Sequence, residues 1–234
     1  MEKITIAIDG YSSTGKSTLA RQLARELGYV YVDTGAMYRA VTLFALQNGL
    51  IGEGKVKPNV LVKLLPGIDL RFRFNRETGN SDIYLNGENV EKQIRSLEVS
   101  DYVSKIAAIA EVRYKLVEMQ RKMGKQKGIV MDGRDIGTVV FPDAELKVFM
   151  TAAPDIRANR RYRELLERGE KVTYKEVLRN VQDRDYLDTH REFSPLMKAD
   201  DAIEFDNGDM GLQEQFERIH NFALRIIEQQ KKGS

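Results

Sequence analysis

Residues 10–18 read Gly10-Tyr11-Ser12-Ser13-Thr14-Gly15-Lys16-Ser17-Thr18. They follow the apolar run Ile4-Thr-Ile-Ala-Ile8 and precede a segment that puts Leu19, Ala20, Leu23, Ala24 and Leu27 on one helical face. A strand, a glycine-bounded loop, Lys-Ser and a helix, in that order, form a phosphate cradle. Gly10 and Gly15 open backbone angles closed to other residues. Successive N–H groups then curl around an anion, helped by the positive end of the helix that follows. Lys16 reaches the outer phosphates as a point charge, and the Ser17 hydroxyl can join a Mg²⁺ shell. The expectation is a nucleoside triphosphate held along residues 10–18.

The rest of the chain continues the alternation begun there. Strand-like runs at 4–9, 29–32, 128–132, 145–150 and 202–206 alternate with helical patterns at 16–27, 36–48, 97–124, 155–168, 173–187 and 211–229. This predicts an α/β domain with a five-stranded parallel sheet covered on both faces. Gly28 and Gly49 sit where helix C-terminal caps belong. One segment breaks the pattern. Ile68-Asp-Leu-Arg-Phe-Arg-Phe74 alternates apolar and polar residues, and Asn86-Gly87 marks a tight hairpin turn. We expect a small antiparallel sheet inserted at about 60–95; a surface hairpin without a role is the alternative. The stretch before it, with Gly52, Gly54, Pro58 and Pro66, reads as a linker.

Composition excludes several function classes. There is no cysteine among 234 residues, which removes disulfides, thiol catalysis and zinc–thiolate sites. Only two histidines occur, His190 and His220, too few and too scattered for a metal cluster. A net charge of +2 gives no broad basic field for nucleic acid. No stretch reaches the apolar length of a membrane span, and the first strand begins too early for a signal peptide. A cytoplasmic location, without membrane or nucleic-acid partners, is the expectation.

In open α/β sheets ligands gather at the carboxyl ends of the strands. Asp9 and the phosphate loop follow the first strand, and Asp33-Thr34-Gly-Ala-Met-Tyr38-Arg39 the second. Asp132-Gly-Arg134-Asp135 follow the third, and the arginine-rich Arg157-Ala-Asn-Arg160-Arg161-Tyr-Arg163 the fourth. Asp132 ends an apolar run in the manner of a carboxylate that orients Mg²⁺ or its waters, with Asp9 a lesser candidate. Arginines pair bidentately with phosphate, and phosphoryl transfer needs positive charge on the migrating group. Arg184 and Asp188 share a helical face; a plain intrahelical ion pair and a pair turned on a substrate both fit.

Together these strings resemble the bacterial cytidylate kinase family. The phosphate loop, Asp33–Arg39, Asp132-Gly-Arg-Asp-Ile-Gly-Thr-Val-Val-Phe-Pro-Asp143, the 157–163 arginines and Arg184…Asp188…Arg191 carry the resemblance over nearly the whole chain. It implies a P-loop nucleoside triphosphatase core, a nucleoside monophosphate (NMP) lobe that takes in residues 60–95, and a short helical lid at 155–170. It further implies transfer of the γ-phosphoryl group of Mg²⁺·ATP to CMP or dCMP by a monomer. Ser104, Arg113 and Asp135 would read the cytosine edge, and Arg184 and Asp188 would hold the sugar. Arg39, Arg134 and Arg191 would grip the monophosphate, with Tyr38 and Thr34 in the acceptor pocket. Lys16, Arg134, Arg160 and Arg161 would neutralise the phosphates in flight, and Arg157 would join the ATP phosphate contacts. Ser17, and Asp132 through water, would serve the metal. The chain departs from the family pattern at Tyr11 and Ser13, where Pro and Gly are frequent, and at Thr34, where Ser is usual. The alternatives are a kinase for UMP or another monophosphate and, in another class, a GTP-dependent switch. No Asn-Lys-x-Asp guanine reader supports the switch.

Overall fold

A computed structural model describes residues 2–52, 54–77 and 79–233. Five strands form one parallel sheet: β1 (Thr5–Gly10), β2 (Val30–Asp33), β8 (Ile129–Asp132), β9 (Leu146–Thr151) and β10 (Ile203–Asp206). Their order is β10-β9-β1-β8-β2. The register sets Ile8 beside both Asp132 and Val148, and Asp33 beside Asp132. Each strand is short and bounded by turn residues, which is why the expected segments lie within two residues of those observed.

The helices cover both faces. On one face α1 (Lys16–Leu27) and α8 (Leu212–Gly233) close over Ile6, Ile8, Val148 and Met150. Their apolar stripes, Leu19/Leu23 and Phe216/Ile219/Ala223, supply the other half of that core. His220 stacks on Phe216 at 5.1 Å between ring centroids and is a partly covered helix residue. On the other face Val32, Met131, Ile136 and Val140 pack together with Val117. Gly28 ends α1 in the left-handed region, and Gly49 adopts φ +64 just past α2 (Thr34–Gln47).

Between α2 and the third sheet strand the chain departs from simple alternation. A two-stranded ribbon, β3 (Ile51–Gly52) with β4 (Lys55–Val56), precedes α3 (Pro58–Leu64) and a 3-10 turn at Leu65–Gly67. The linker reading of 52–66 is therefore corrected. Pro58 starts a helix because its fixed φ suits the first helical position, and Leu61 and Leu65 bury into the neighbouring core. Next comes the antiparallel sheet β5 (Leu70–Asn75), β6 (Asn80–Leu85) and β7 (Glu88–Asn89). Its last turn is Asn86-Gly87 with both φ values positive, the geometry that matches strand twist in a tight hairpin.

The single helix expected over 97–124 is two: α4 (Leu97–Ala107) and α5 (Ala110–Met123). Ile109 is extended at ψ 119, and Arg113 Nη1 donates to the carbonyl of Ala107 at the end of α4. The apolar stripe runs through both helices, so no glycine or proline marks the break. The chain closes with α6 (Pro154–Glu167) and α7 (Tyr174–His190) ahead of β10 and α8. Among the described residues no helix is long and apolar enough to cross a membrane.

Candidate active site

A cleft of about 590 Å³ opens at the carboxyl ends of β1, β2 and β8. Its floor is the phosphate loop. Gly10 has φ +139, and a Cβ there would lie 2.0 Å from the Met150 carbonyl oxygen, so only glycine lets β1 pass this close to β9. Ser13 adopts φ 58 and Gly15 φ 92. The angle at Ser13 lies in the left-handed region that favours glycine. Thr14 Oγ1 donates to the Tyr11 carbonyl at 3.0 Å, and Asn207 Nδ2 donates to the Thr14 carbonyl at 2.6 Å. Lys16 Nζ donates to the Tyr11 carbonyl and, at 3.3 Å, to Thr14 Oγ1. Burial, and then the Arg134 charge, push the Lys16 ammonium well below its ordinary value.

Asp132 stands at the back of this loop. Its Oδ2 accepts from Ser17 Oγ at 2.9 Å and its Oδ1 from Tyr31 OH at 2.9 Å. Burial, with Asp33 alongside on β2, raises its carboxyl to about 6. Asp9 faces elsewhere. Its two oxygens accept the backbone N–H groups of Ile136 and Gly137 at 2.8 and 2.7 Å, so it anchors the π-helical turn Ile136–Val140 that follows Asp135. Asp9 does not line the cleft.

The cleft wall opposite the loop is a network of charges. Arg113 and Asp135 form an ion pair, and the Arg113 guanidinium lies 5.4 Å from the centre of the Tyr38 ring. Asp188 accepts from Ser104 Oγ at 2.8 Å and from Arg134 Nε at 2.9 Å. Burial would raise the Asp188 carboxyl, but Arg134, Arg184 and Arg191 outweigh it and hold it below the usual range. Arg191 sits 3.9 Å from both Asp135 and Asp188. Arg184 is not ion-paired with Asp188 one turn away. It donates instead to Ser100 Oγ at 3.1 Å, and burial, then Arg134, lower its guanidinium to about 9. Thr34 Oγ1 donates to the Asp132 carbonyl at 2.7 Å.

Of the residues singled out from the sequence, the structure brings most to this one cleft: Ser12, Ser13, Gly15, Lys16, Ser17 and Thr18 on its floor, with Thr34, Tyr38, Arg39, Ser104, Arg113, Asp132, Arg134, Asp135, Arg184, Asp188 and Arg191 around it. Arg160 and Arg161 close one side. Arg160 donates to the Asn207 carbonyl at 2.8 Å and the Thr14 carbonyl at 3.3 Å, and Arg161 to Glu164 at 2.9 Å. Gly10, Tyr11, Thr14 and Arg157 do not line it. Arg157 is buried behind the loop, pairs with Asp185 at 3.0 and 2.6 Å, and donates to the Ser12 carbonyl at 3.3 Å. Arg163 is exposed.

Arg95 also lines the cleft and belonged to no motif. It pairs with Glu91 and lies 3.5 Å from Asp33, while Asp33 caps α2 through the Ala36 N–H and holds Arg39 at 2.9 Å. The carbonyl of Arg95 accepts from Arg161 Nη2 at 3.0 Å. An arginine between an inserted sheet and a helix cap was the only signal, and it is a weak one.

Comparison with known proteins places the chain in a family. Residues 6–225 match the family model described as cytidylate kinase. A cytidylate kinase of Flavobacterium johnsoniae is 63% identical over 227 residues, covering 97% of this chain and 99% of the relative. Those of Flavobacterium psychrophilum and Bacteroides thetaiotaomicron are 62% and 56% identical, each aligned over its whole length and over 97% and 98% of this chain. The chain belongs to the cytidylate kinase family.

Proposed function

We propose that the protein transfers the γ-phosphoryl group of ATP to CMP or dCMP, giving ADP and CDP or dCDP. The observation that carries this reading is the meeting, in one cleft, of a phosphate loop with a buried Arg113–Asp135 pair and the arginines Arg39, Arg134, Arg184 and Arg191. Cytosine presents an exocyclic amine donor beside ring acceptors. Asp135 accepts from the amine while Arg113 donates to the acceptors, and uracil would meet Asp135 with a carbonyl. Arg184 and Asp188 hold the sugar. Arg39, Arg134 and Arg191 hold the monophosphate, and Tyr38 and Thr34 line its pocket.

A magnesium ion is part of this reading, and the donor set fits one. Among the described residues no cluster of three or more His, Asp or Glu side chains gathers as a cage. Ser17 and Asp132 instead offer one hydroxyl and one carboxylate, and Mg²⁺ prefers few protein ligands together with water and substrate phosphates. Once bound it would screen the triphosphate charge. Ser17 would hold it directly and Asp132 through water.

The reacting oxygen of CMP is already anionic, so no general base is required. It attacks the γ-phosphorus in line, and the bond from that phosphorus to the β,γ-bridging oxygen breaks, releasing ADP. Lys16, Arg134, Arg160 and Arg161 spread positive charge over the moving group. The loop N–H groups of 10–18 hold the donor phosphates, with Arg157 bracing the loop from behind. Residues 155–170 act as the lid and 60–95 as part of the acceptor lobe of a single kinase domain, and their closure keeps water from the γ-phosphate. The protein works as a cytoplasmic monomer on small nucleotides, without nucleic acid or membrane.

The test is ADP release from Mg²⁺·ATP with CMP, dCMP, UMP, AMP or GMP, and with no acceptor. Strong stimulation by CMP and dCMP alone supports the reading. Hydrolysis indifferent to every acceptor would overturn it.

A further inference from the structure

Arg184 is an unusual cation. It faces Arg134, Arg161 and Arg39 within the cleft as well as the Asp188 carboxylate, and among the described residues its one hydrogen bond goes to a neutral hydroxyl, Ser100 Oγ, at 3.1 Å. Its Nε is buried without a partner. A serine hydroxyl has one proton and two lone pairs, so it holds an arginine only if its own proton points elsewhere. Here that direction is fixed. Ser100 Oγ donates to Asn180 Oδ1 at 3.0 Å, and Asn180 Nδ2 donates to Asp101 Oδ1 at 2.6 Å. An ionised carboxylate only accepts, so Asp101 dictates which way the Asn180 amide faces. The amide oxygen then takes the serine proton, and the serine lone pairs are left for Arg184.

We propose that Asn180 and Ser100 are positioning residues for the acceptor nucleotide. Together they form a relay from Asp101 that orients Arg184 and leaves its remaining N–H groups for the sugar. Ser100 and Asn180 are 2% and 7% exposed, so solvent does not substitute for either partner. A helix-to-helix tether between α4 and α7 needs only the Ser100–Asn180 bond; the extension to Arg184 is what the relay adds. The inference rests on the assignment of Arg184 to the sugar.

The experiment measures initial rates against CMP and against ATP for Ser100→Ala and Asn180→Ala, each in the native chain and in an Arg184→Met background. Losing one hydrogen bond to a charged group should raise KM for CMP roughly tenfold in the native background, with KM for ATP held within about twofold. In the Arg184→Met background neither substitution should move KM for CMP further. Equal effects in both backgrounds, no effect in the native one, or an Arg184→Met enzyme with unchanged KM for CMP would overturn the relay while leaving the kinase assignment standing. A native protein that phosphorylates no monophosphate overturns both. Melting temperature is recorded for each variant; if Asn180→Ala does not fold, the near-isosteric Ser100→Ala decides alone.

Discussion

Arg113, on α5, and Asp135, just past β8, form an ion pair whose side chains are 3% and 5% exposed. The pair sits on the cleft wall against Tyr38, so it is both a structural tie and the proposed reader of the base. The two roles separate by substitution. Asp135→Ala leaves a buried guanidinium without its carboxylate and should cost about 3–5 kcal/mol in stability. Asp135→Asn keeps an acceptor oxygen and should cost less, while the kcat/KM preference for CMP over UMP falls by roughly tenfold or more. Urea unfolding and the two specificity constants measure this; an Asn variant that keeps the full preference would remove Asp135 from base reading.

Lys16 separates function from stability in the opposite sense. Its ammonium is buried, pushed well below its ordinary value by that burial, and among the described residues bonded only to oxygens of its own loop. The charge therefore strains the folded protein and serves the phosphates. Lys16→Met should lower kcat by ~10²-fold or more, the scale for removing one preorganised transition-state contact. Its melting temperature should hold or rise. A variant that turns over normally would end the assignment of Lys16 to the phosphates in flight.

The sheet and the phosphate loop were legible because their signals are local. Each strand is a short stretch bounded by turn residues, and the loop is written in nine consecutive positions. Much of the cleft wall was legible only through the family strings. What stayed hidden joins residues far apart in sequence: Asp33 to Arg95 across 62 residues, Asp9 to Ile136 and Gly137 across 127 and 128. Periodicity carries no trace of such pairs, since a polar side chain aimed inward looks the same as one aimed at water. The α4–α5 break was hidden for a related reason. It is held by Arg113 on the Ala107 carbonyl, with no helix-breaking residue to mark it.

Asp9 makes the protein sensitive to pH. Burial, outweighing the Gly137 and Ile136 N–H bonds, raises its carboxyl from 3.8 to about 7. The folded state thus binds this proton more tightly than the unfolded chain does. Stability from Asp9 is greatest at low pH and falls as pH rises from about 4 to about 7. Asp132, raised to about 6, acts in the same direction. Asp9→Asn removes one of these titrations. Unfolding free energy measured between pH 5 and pH 8 should decline with pH less steeply in the variant. Identical slopes would mean that Asp9 does not titrate in this window.

Two glycines with positive φ should respond very differently to alanine. At Gly28, which caps α1 with φ +66, a Cβ would meet nothing within 4 Å. Gly28→Ala carries only the left-handed backbone penalty, about 1–2 kcal/mol. At Gly10 the new Cβ would lie 2.0 Å from the Met150 oxygen and 2.9 Å from its carbon and nitrogen. All three are backbone atoms of a central strand, which cannot rotate aside. Relief would require β1 and β9 to part where their register runs from Ile6–Leu146 to Gly10–Met150, next to the root of the phosphate loop. Gly10→Ala should therefore cost more than about 4 kcal/mol, in the range reserved for core disruption and strain. It should also abolish ATP binding in whatever fraction remains folded. Urea midpoints for the two variants, read at equal m-values, compare the two costs directly. Equal losses would mean that φ alone, and not the close approach of the two strands, demands glycine at position 10.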